Sequence, residues 1–398
     1  MSIPLKGLRV IELGDFLPSA YCCMQLSDFG AEVVRIDAPR EAASQGRRAA
    51  QAANVPKGGR SPFEAQRAFD SLGRNRSSIV IDLKNPAGRD AALRLVAGCD
   101  VLVEGFRPGV MDRLGLGYAK VSELNPRLVY CSVSLFGQTG PYREHPGHDP
   151  LALGLAGLLH LNSDPANNVP RLLGSPVGDI SAGLHALSGV LLALRECDQS
   201  GRGQHVDISM AESSLAFSLF ASIQVLQGAT VPRLNKPNAI SGVWETQDGK
   251  YIVTTNLEPH HWANFCRSIG REDLIPLRHD RSRRVELFDV VRDTLKTRTC
   301  EEWLTIFAGE LESQAGPVHT IHEVFDDPHL RARGVIVEVP DRQGGTARQL
   351  RTTINLTRTP GRISSIAPEP GEHTRAILNS AGFNEQEIEG LIASTAVR

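Results

Sequence analysis

Leu8-Arg9-Val10-Ile11-Glu12-Leu13, then Gly14-Asp15-Phe16-Leu17-Pro18-Ser19, then Ala20 to Phe29 is the stretch that decides the fold class. The first six residues read as a strand buried on both faces, because their apolar side chains do not alternate with polar ones. After the turn, Ala20 to Phe29 is predicted as a helix that stops at Gly30, since glycine takes the left-handed conformation that ends helices. Glu32 to Ile36 follows as a second strand. Strand, helix and strand in this order imply a parallel sheet covered on both faces.

The pattern continues outward. Ile79 to Leu83, Val101 to Val103 and Leu128 to Val133 read as further strands, with a helix from about Gly88 to Val96. Residues 40 to 62 break the pattern, being rich in Ala, Gly, Arg and Gln, and read as a mobile surface loop. Asp179 to Leu194 and Asp207 to Leu226 are predicted helical. Character changes near Gly228. Val243 to Thr246 and Tyr251 to Thr254, joined through Asp248-Gly249, form a predicted hairpin. Helices at His260 to Ile269, Arg284 to Leu295 and Cys300 to Ala308 make this a smaller α+β lobe. Gly334 to Val339 reads as a strand and Asn384 to Ala393 as a last helix.

A chain of 398 residues exceeds one ordinary core, so two lobes are expected. The net charge of -2 gives no general attraction to nucleic acid or an acidic membrane. Met1-Ser2-Ile3-Pro4 runs directly into the first strand, with no targeting segment expected, and apolar stretches such as Leu151 to Leu159 are too short to span a bilayer. Cys22, Cys23, Cys99, Cys131, Cys197, Cys266 and Cys300 are scattered without a CxxC pair, which suits buried thiols in a reducing cytoplasm. No metal site is expected.

A parallel sheet raises the possibility of a dinucleotide enzyme. The turn Gly14 to Ser19 lacks the glycines that let backbone approach a pyrophosphate, and Pro18 removes a donor N–H. A GxxxxGK[ST] loop is absent too. Other segments stand out: Leu5-Lys6-Gly7-Leu8-Arg9-Val10, Asp28-Phe29-Gly30-Ala31-Glu32-Val33-Val34-Arg35, Asn75-Arg76 before Asp82-Leu83-Lys84, and Glu104-Gly105-Phe106-Arg107-Pro108-Gly109. Further on are Phe136-Gly137-Gln138-Thr139-Gly140-Pro141-Tyr142, Gly147-His148-Asp149, Gly178-Asp179 and Gly201-Arg202-Gly203-Gln204-His205-Val206-Asp207. Asp327-Pro328-His329 and Gly371-Glu372-His373-Thr374 complete the series. In this order and spacing the chain resembles the family III CoA-transferase superfamily, which includes the α-methylacyl-CoA racemases. The resemblance implies a Rossmann-like large domain built from residues 1–226 and 331–398, a small α+β domain over 227–330, and an interlocked-ring homodimer.

It also implies roles. Asp179 matches the nucleophilic aspartate, set after a glycine at a helix start. Such a carboxylate attacks an acyl-CoA carbonyl, forms a mixed anhydride, and passes through an aspartyl-CoA thioester to a carboxylic acid acceptor. By residue type alone, Asp179 reads as an N-cap for the helix through His185, and the resemblance reverses that reading. Gly147-His148-Asp149 and Leu257-Glu258-Pro259 match the racemases, in which His148 and Asp179 would exchange a proton on opposite faces of the α-carbon. His148 could instead bond a loop carbonyl. Gly174-Ser175-Pro176-Val177-Gly178-Asp179 resembles the transferase form, and His148-Asp149-Pro150 lacks the Ile-Asn-Tyr that follows in racemases. Leu17 replaces a substrate-contacting Gln of formyl-CoA transferases, and no glycine run precedes Trp244, which argues against oxalate as acceptor. Arg76, Lys84 and Arg107 resemble by position family residues near CoA, and Arg40 stands in for an Arg that the family places two residues earlier, where this chain has Ala38, with a solvated surface role as the alternative for each and for Arg47-Arg48 in the loop. The expectation is a cytoplasmic CoA-transferase using CoA thioester as substrate and no tightly bound cofactor. A 2-methylacyl-CoA racemase using His148, Asp179 and Glu258, or a non-catalytic subunit of a heteromeric transferase, are the alternatives.

Overall fold

The structure is a computed structural model and describes residues 3–39, 70–164, 167–229, 238–309, 314–342 and 344–398. The chain divides into two compact units. The first comprises Met1–Ser163, Val169–Val231 and Gly334–Arg398, and the second Asp164–Asn168 and Pro232–Arg333.

In the first unit β1 (Arg9–Leu13), β2 (Glu32–Asp37), β3 (Arg76–Val80), β4 (Val101–Glu104), β5 (Val129–Ser134) and β6 (His205–Ser209) form one sheet in the order β3-β2-β1-β4-β5-β6. Every pairing is parallel. The strand order reverses between β1 and β4, which is the switch point of a doubly wound sheet. Alternating side chains feed two cores. Val10, Val33, Val101, Val103, Val129 and Val133 meet α1 (Leu17–Asp28) and α4 (Val177–Ser200) on one face. Ile11, Leu13, Ile36, Ile79, Leu102 and Tyr130 meet α2 (Pro86–Ala97), α10 (Thr374–Ser380) and α11 (Glu385–Ala393) on the other. Each such aliphatic side chain contributes roughly 1.5–3 kcal/mol when fully buried. The C-terminal segment is locked in by Arg74. Its guanidinium makes bidentate bonds to Asp28, at 3.0 and 2.5 Å, and a further bond to the Leu350 carbonyl at 2.5 Å.

The second unit holds β7 (Ser241–Glu245), β8 (Tyr251–Thr255) and β9 (Ala315–Pro317) in an antiparallel sheet. Trp244, Ile252, Trp262, Phe265, Val291 and Trp303 form its core, with α7 (Pro259–Ser268), α8 (Arg284–Leu295) and α9 (Cys300–Ala308). Helix α9 opens on a capping box between Thr299 and Glu302.

Several expectations are corrected. The predicted helix from Asp207 begins only at Met210, because His205–Ser209 pairs with Tyr130–Ser134 as β6 and Ser209 then caps α5 (Met210–Leu215) through the Glu212 N–H. The strand predicted at Ile79 to Leu83 lies earlier, at Arg76–Val80, while Ile81 makes an isolated bridge to Val397. The strand after Gly334 has an antiparallel partner that the sequence did not suggest, Ile336–Pro340 against Thr346–Leu350. Helix α4 runs beyond Leu194 to Ser200, and by length and composition alone it is long and apolar enough to cross a membrane, contrary to the reading of the apolar stretches. Half of that window is buried, and Ala182, Ala186, Leu187 and Val190 pack into the valine core. All seven cysteines are buried and free of disulfides. The loop expected at residues 40 to 62, with Arg40, Arg47 and Arg48, lies outside the described residues.

Candidate active site

The switch point is the usual ligand crevice of such a sheet, and here side chains fill its base. Gly105, just past β4, sits so close to α1 that a Cβ would lie 2.6 Å from Phe16 Cβ and 2.7 Å from Ser19 Oγ. Asp37, at the end of β2 where a ribose-binding acid would stand, is used internally. Its Oδ1 accepts from Arg35 Nε at 3.0 Å and its Oδ2 from Ser78 Oγ at 2.6 Å. The geometry therefore agrees with the missing dinucleotide fingerprint.

Asp179 lies on the face that carries α1 and α4. It is the third residue of α4, within the first turn and not at the N-cap, which is Pro176. The N-cap alternative is thereby corrected. Only 3 % of Asp179 is exposed, and its backbone N–H donates to Asp149 Oδ1 at 3.0 Å. Asp149 is in turn the first residue of α3 (Asp149–Leu155). The glycine before the aspartate has a steric reason. A Cβ on Gly178 would stand 2.9 Å from both Asp149 Oδ1 and Ser214 Oγ. Three segments, at 149, 178–179 and 214, thus meet around the Gly178-Asp179 backbone at the positive end of a long helix dipole.

His148 is the exposed N-cap residue of α3, one position from the Asp149 that holds Asp179. Glu258 belongs to the second unit, at the N-cap position of α7, and its half-exposed side chain makes no capping bond but lies 3.7 Å from His261 Nε2. Lys84 and Arg107 are exposed side chains of the first unit. Arg76 is not available to a phosphate. Its side chain is sealed from solvent, paired with Glu12 and bonded to the Ala20 carbonyl, because β3 delivers it into the layer beneath α1. Its reading as a CoA contact is replaced by a structural ion pair.

Two groups escaped the sequence reading. Arg113 and Arg143 both approach Gly109, since a Cβ there would lie 3.4 Å from Arg113 Nη1 and 3.8 Å from Arg143 Nη2. Their separation along the chain concealed the convergence. The other is a pocket of about 210 Å³ lined by Glu104, Arg107, Tyr118, Ser132, Gln138 and His205. Burial pushes the Glu104 carboxyl up to about 7, against the pull of hydrogen bonds from Ser132 and the Phe106 N–H. Burial also lowers the pKa of His205.

Fold and site together define a doubly wound α/β protein that presents a buried carboxylate, not a phosphate loop, at the start of its longest described helix. The chain belongs to CoA-transferase family III, whose family model matches residues 5–374, and it is an enzyme of that family. It is 30% identical, over 99% of its length and 98% of the relative's, to succinyl-CoA–D-citramalate CoA-transferase of Chloroflexus aurantiacus. It is 32% identical to human α-methylacyl-CoA racemase, covering 96% of this chain and 95% of that one. The crystal structure of a CAIB/BAIF family protein from Brucella suis superposes with a TM-score of 0.79 at 28% identity, covering 96% of this chain and 100% of the other.

Proposed function

We propose that this enzyme moves CoA from an acyl-CoA donor to a carboxylic acid acceptor, with Asp179 as nucleophile. The observation that carries this reading is the Gly178-Asp179 start of α4, where Asp149 grips the Asp179 N–H and leaves no room for a side chain at 178. The Asp179 carboxylate attacks the thioester carbonyl, expelling CoA thiolate and leaving a mixed anhydride. Thiolate then attacks the aspartyl carbonyl, releasing the donor acid and leaving an aspartyl-CoA thioester. The acceptor carboxylate attacks that thioester, and the freed thiolate takes the acceptor's acyl carbonyl, regenerating Asp179. Lys84, Arg107, Arg113 and Arg143 are the candidate partners of the CoA phosphates. Mass spectrometry of the enzyme incubated with acyl-CoA tests the scheme. A CoA or acyl adduct on the peptide carrying Asp179 is expected, and its absence during active turnover would overturn it.

A racemase reading is favoured by His148 beside Asp149 and by the likeness to the human racemase. In it His148, Asp179 and Glu258 would move the α-proton. Exchange of that proton in heavy water, without CoA transfer to any carboxylate, would select this second reading.

We further propose that the working form is a homodimer, interlocked as the family resemblance implies. Helix α6 (Leu219–Leu226) has no buried residue although its sequence is largely apolar, and Phe220 and Leu226 are 83% and 86% exposed. Leu192 on α4 is 72% exposed as well. Apolar surface of this extent calls for a covering partner, and a second copy supplies it. Light scattering at low concentration should find a dimer whose subunits exchange only as fast as they unfold. A stable monomer would refute it.

A further inference from the structure

On the face of the sheet opposite α1 and α4, Glu104 ends β4 with 3 % of its surface exposed. It shares that face with Leu102, two residues earlier. Its Oε2 accepts the Phe106 N–H at 2.8 Å, closing the start of the loop Gly105 to Gly109. Ser132, its register partner on β5, lies beside the same carboxyl and pulls its pKa down. The Ser132 Oγ also lies 2.9 Å from His205 Nε2 on β6. The His205 ring stacks on Tyr118 at 5.1 Å and meets the edge of Tyr130 at 5.3 Å, so its position is set from two sides. The remaining charged groups around Glu104 are Asp112 and Asp207, which both raise its pKa, and Arg107, which lines the same pocket. Asp207 is itself held by the Gln138 N–H, at 3.1 and 3.0 Å. Polar contacts therefore run from His205 on β6 to Ser132 on β5, and beside Ser132 the Glu104 carboxyl takes the Phe106 N–H of the loop that carries Arg107.

We propose that Glu104 is a positioning residue for the CoA thioester: its carboxylate, braced by Ser132 and His205, holds the Phe106 N–H and so fixes the loop that presents Arg107, governing affinity and not the chemical step. The inference rests on the reading of that loop as a CoA contact. A charged acceptor holds an N–H about twice as strongly as a neutral one. The loop is thus best held when Glu104 is ionised, above the value of about 7 to which burial raises it.

Steady-state kinetics with an acyl-CoA donor from about pH 5.5 to 8.5 tests this on the full-length wild type and on Glu104→Gln, Ser132→Ala and Arg107→Ala. The wild-type KM for the donor should fall severalfold as pH rises through about 7. Glu104→Gln, which is isosteric, should raise KM about three- to tenfold at high pH and flatten its pH profile, while kcat keeps the wild-type profile. Ser132→Ala should move the inflection in KM to higher pH, because the lost hydrogen bond holds the carboxyl down. Thermal melting of each variant checks the fold, and Ser132→Ala supplies the readout should Glu104→Gln fail to fold. Wild-type KM at every pH in a folded Glu104→Gln protein, or an equal loss of kcat with unchanged KM, overturns the proposal. If Arg107→Ala raises KM while Glu104→Gln does not, this inference alone falls. If neither changes KM, the loop is no CoA contact and both readings fall.

Discussion

The two faces of the central sheet each bury a carboxylate, and they do so in opposite ways. Asp179 comes from a helix start, and its environment is built from segments at 149, 178 and 214 that meet around its backbone. Glu104 comes from a strand end, and its carboxyl is satisfied by the next turn of its own chain and by the adjacent strand. In the proposed reading the helical carboxylate meets substrate at the end of α4, and the strand carboxylate holds the loop that carries Arg107. On that reading, burial of an acid is not by itself a mark of catalysis, and the element that delivers the acid decides its use.

Replacing Asp179 by Ala breaks this contrast most severely. Turnover should fall by about four orders of magnitude or more, with the circular dichroism spectrum unchanged, as for removal of an enzyme's nucleophile. A folded variant with near wild-type rate would end both mechanisms considered for this site. Gly178→Ala is next. Its Cβ would stand 2.9 Å from Asp149 Oδ1 and Ser214 Oγ, so the segment must shift. A cost of about 1–3 kcal/mol is expected from such overpacking, together with a large drop in kcat, read from denaturant unfolding and steady-state rates. Unchanged values would mean that the Asp149 contact sets nothing.

The strand site gives a stability prediction of the opposite kind. The folded-state pKa of Glu104 is raised from 4.5 to about 7, so its contribution is fully present below the unfolded pKa and is lost as pH rises through the folded one. Relative to Glu104→Gln, the wild type should lose up to about 3 kcal/mol of stability between about pH 4.5 and 7. Urea midpoints of the two proteins measured in parallel across that range check it, and parallel curves would contradict the raised pKa. The smallest effect is expected from His148→Ala. For a transferase with Asp179 as its only nucleophile, the rate of CoA transfer should fall less than about tenfold. For a racemase, inversion should fall by about a hundredfold to ten-thousandfold, because one face of the α-carbon loses its acid–base group. Deuterium exchange run beside the transfer assay separates the two.

Legibility in the sequence followed locality. The β1–α1–β2 unit was readable because a continuous apolar strand and a glycine stop act within a few residues, and Gly30 indeed has φ of +96°. The hairpin through Asp248-Gly249 and the helices at Arg284–Leu295 and Cys300–Ala308 were readable for the same reason. Strand β6 was not. His205–Ser209 is short and half polar, and only its pairing with β5 makes it a strand. Arg76 shows the same limit for a side chain. An arginine among surface-like residues looks like a phosphate ligand until the strand beside it is known to point it under α1, at Glu12.

By itself the sequence determined the class of fold, the family, and the position of a Gly-Asp pair at a helix start, because periodicity, turn chemistry and motif order are properties of neighbouring residues. Only the tertiary structure decided that Asp149 holds Asp179, that Gly178 has no room for a side chain, that Arg76 is sealed, and that Ser132 joins His205 beside Glu104. Each of these joins residues tens of positions apart. Their meeting depends on strand order and on which face of the sheet a side chain takes, and neither is written in any short stretch of chain.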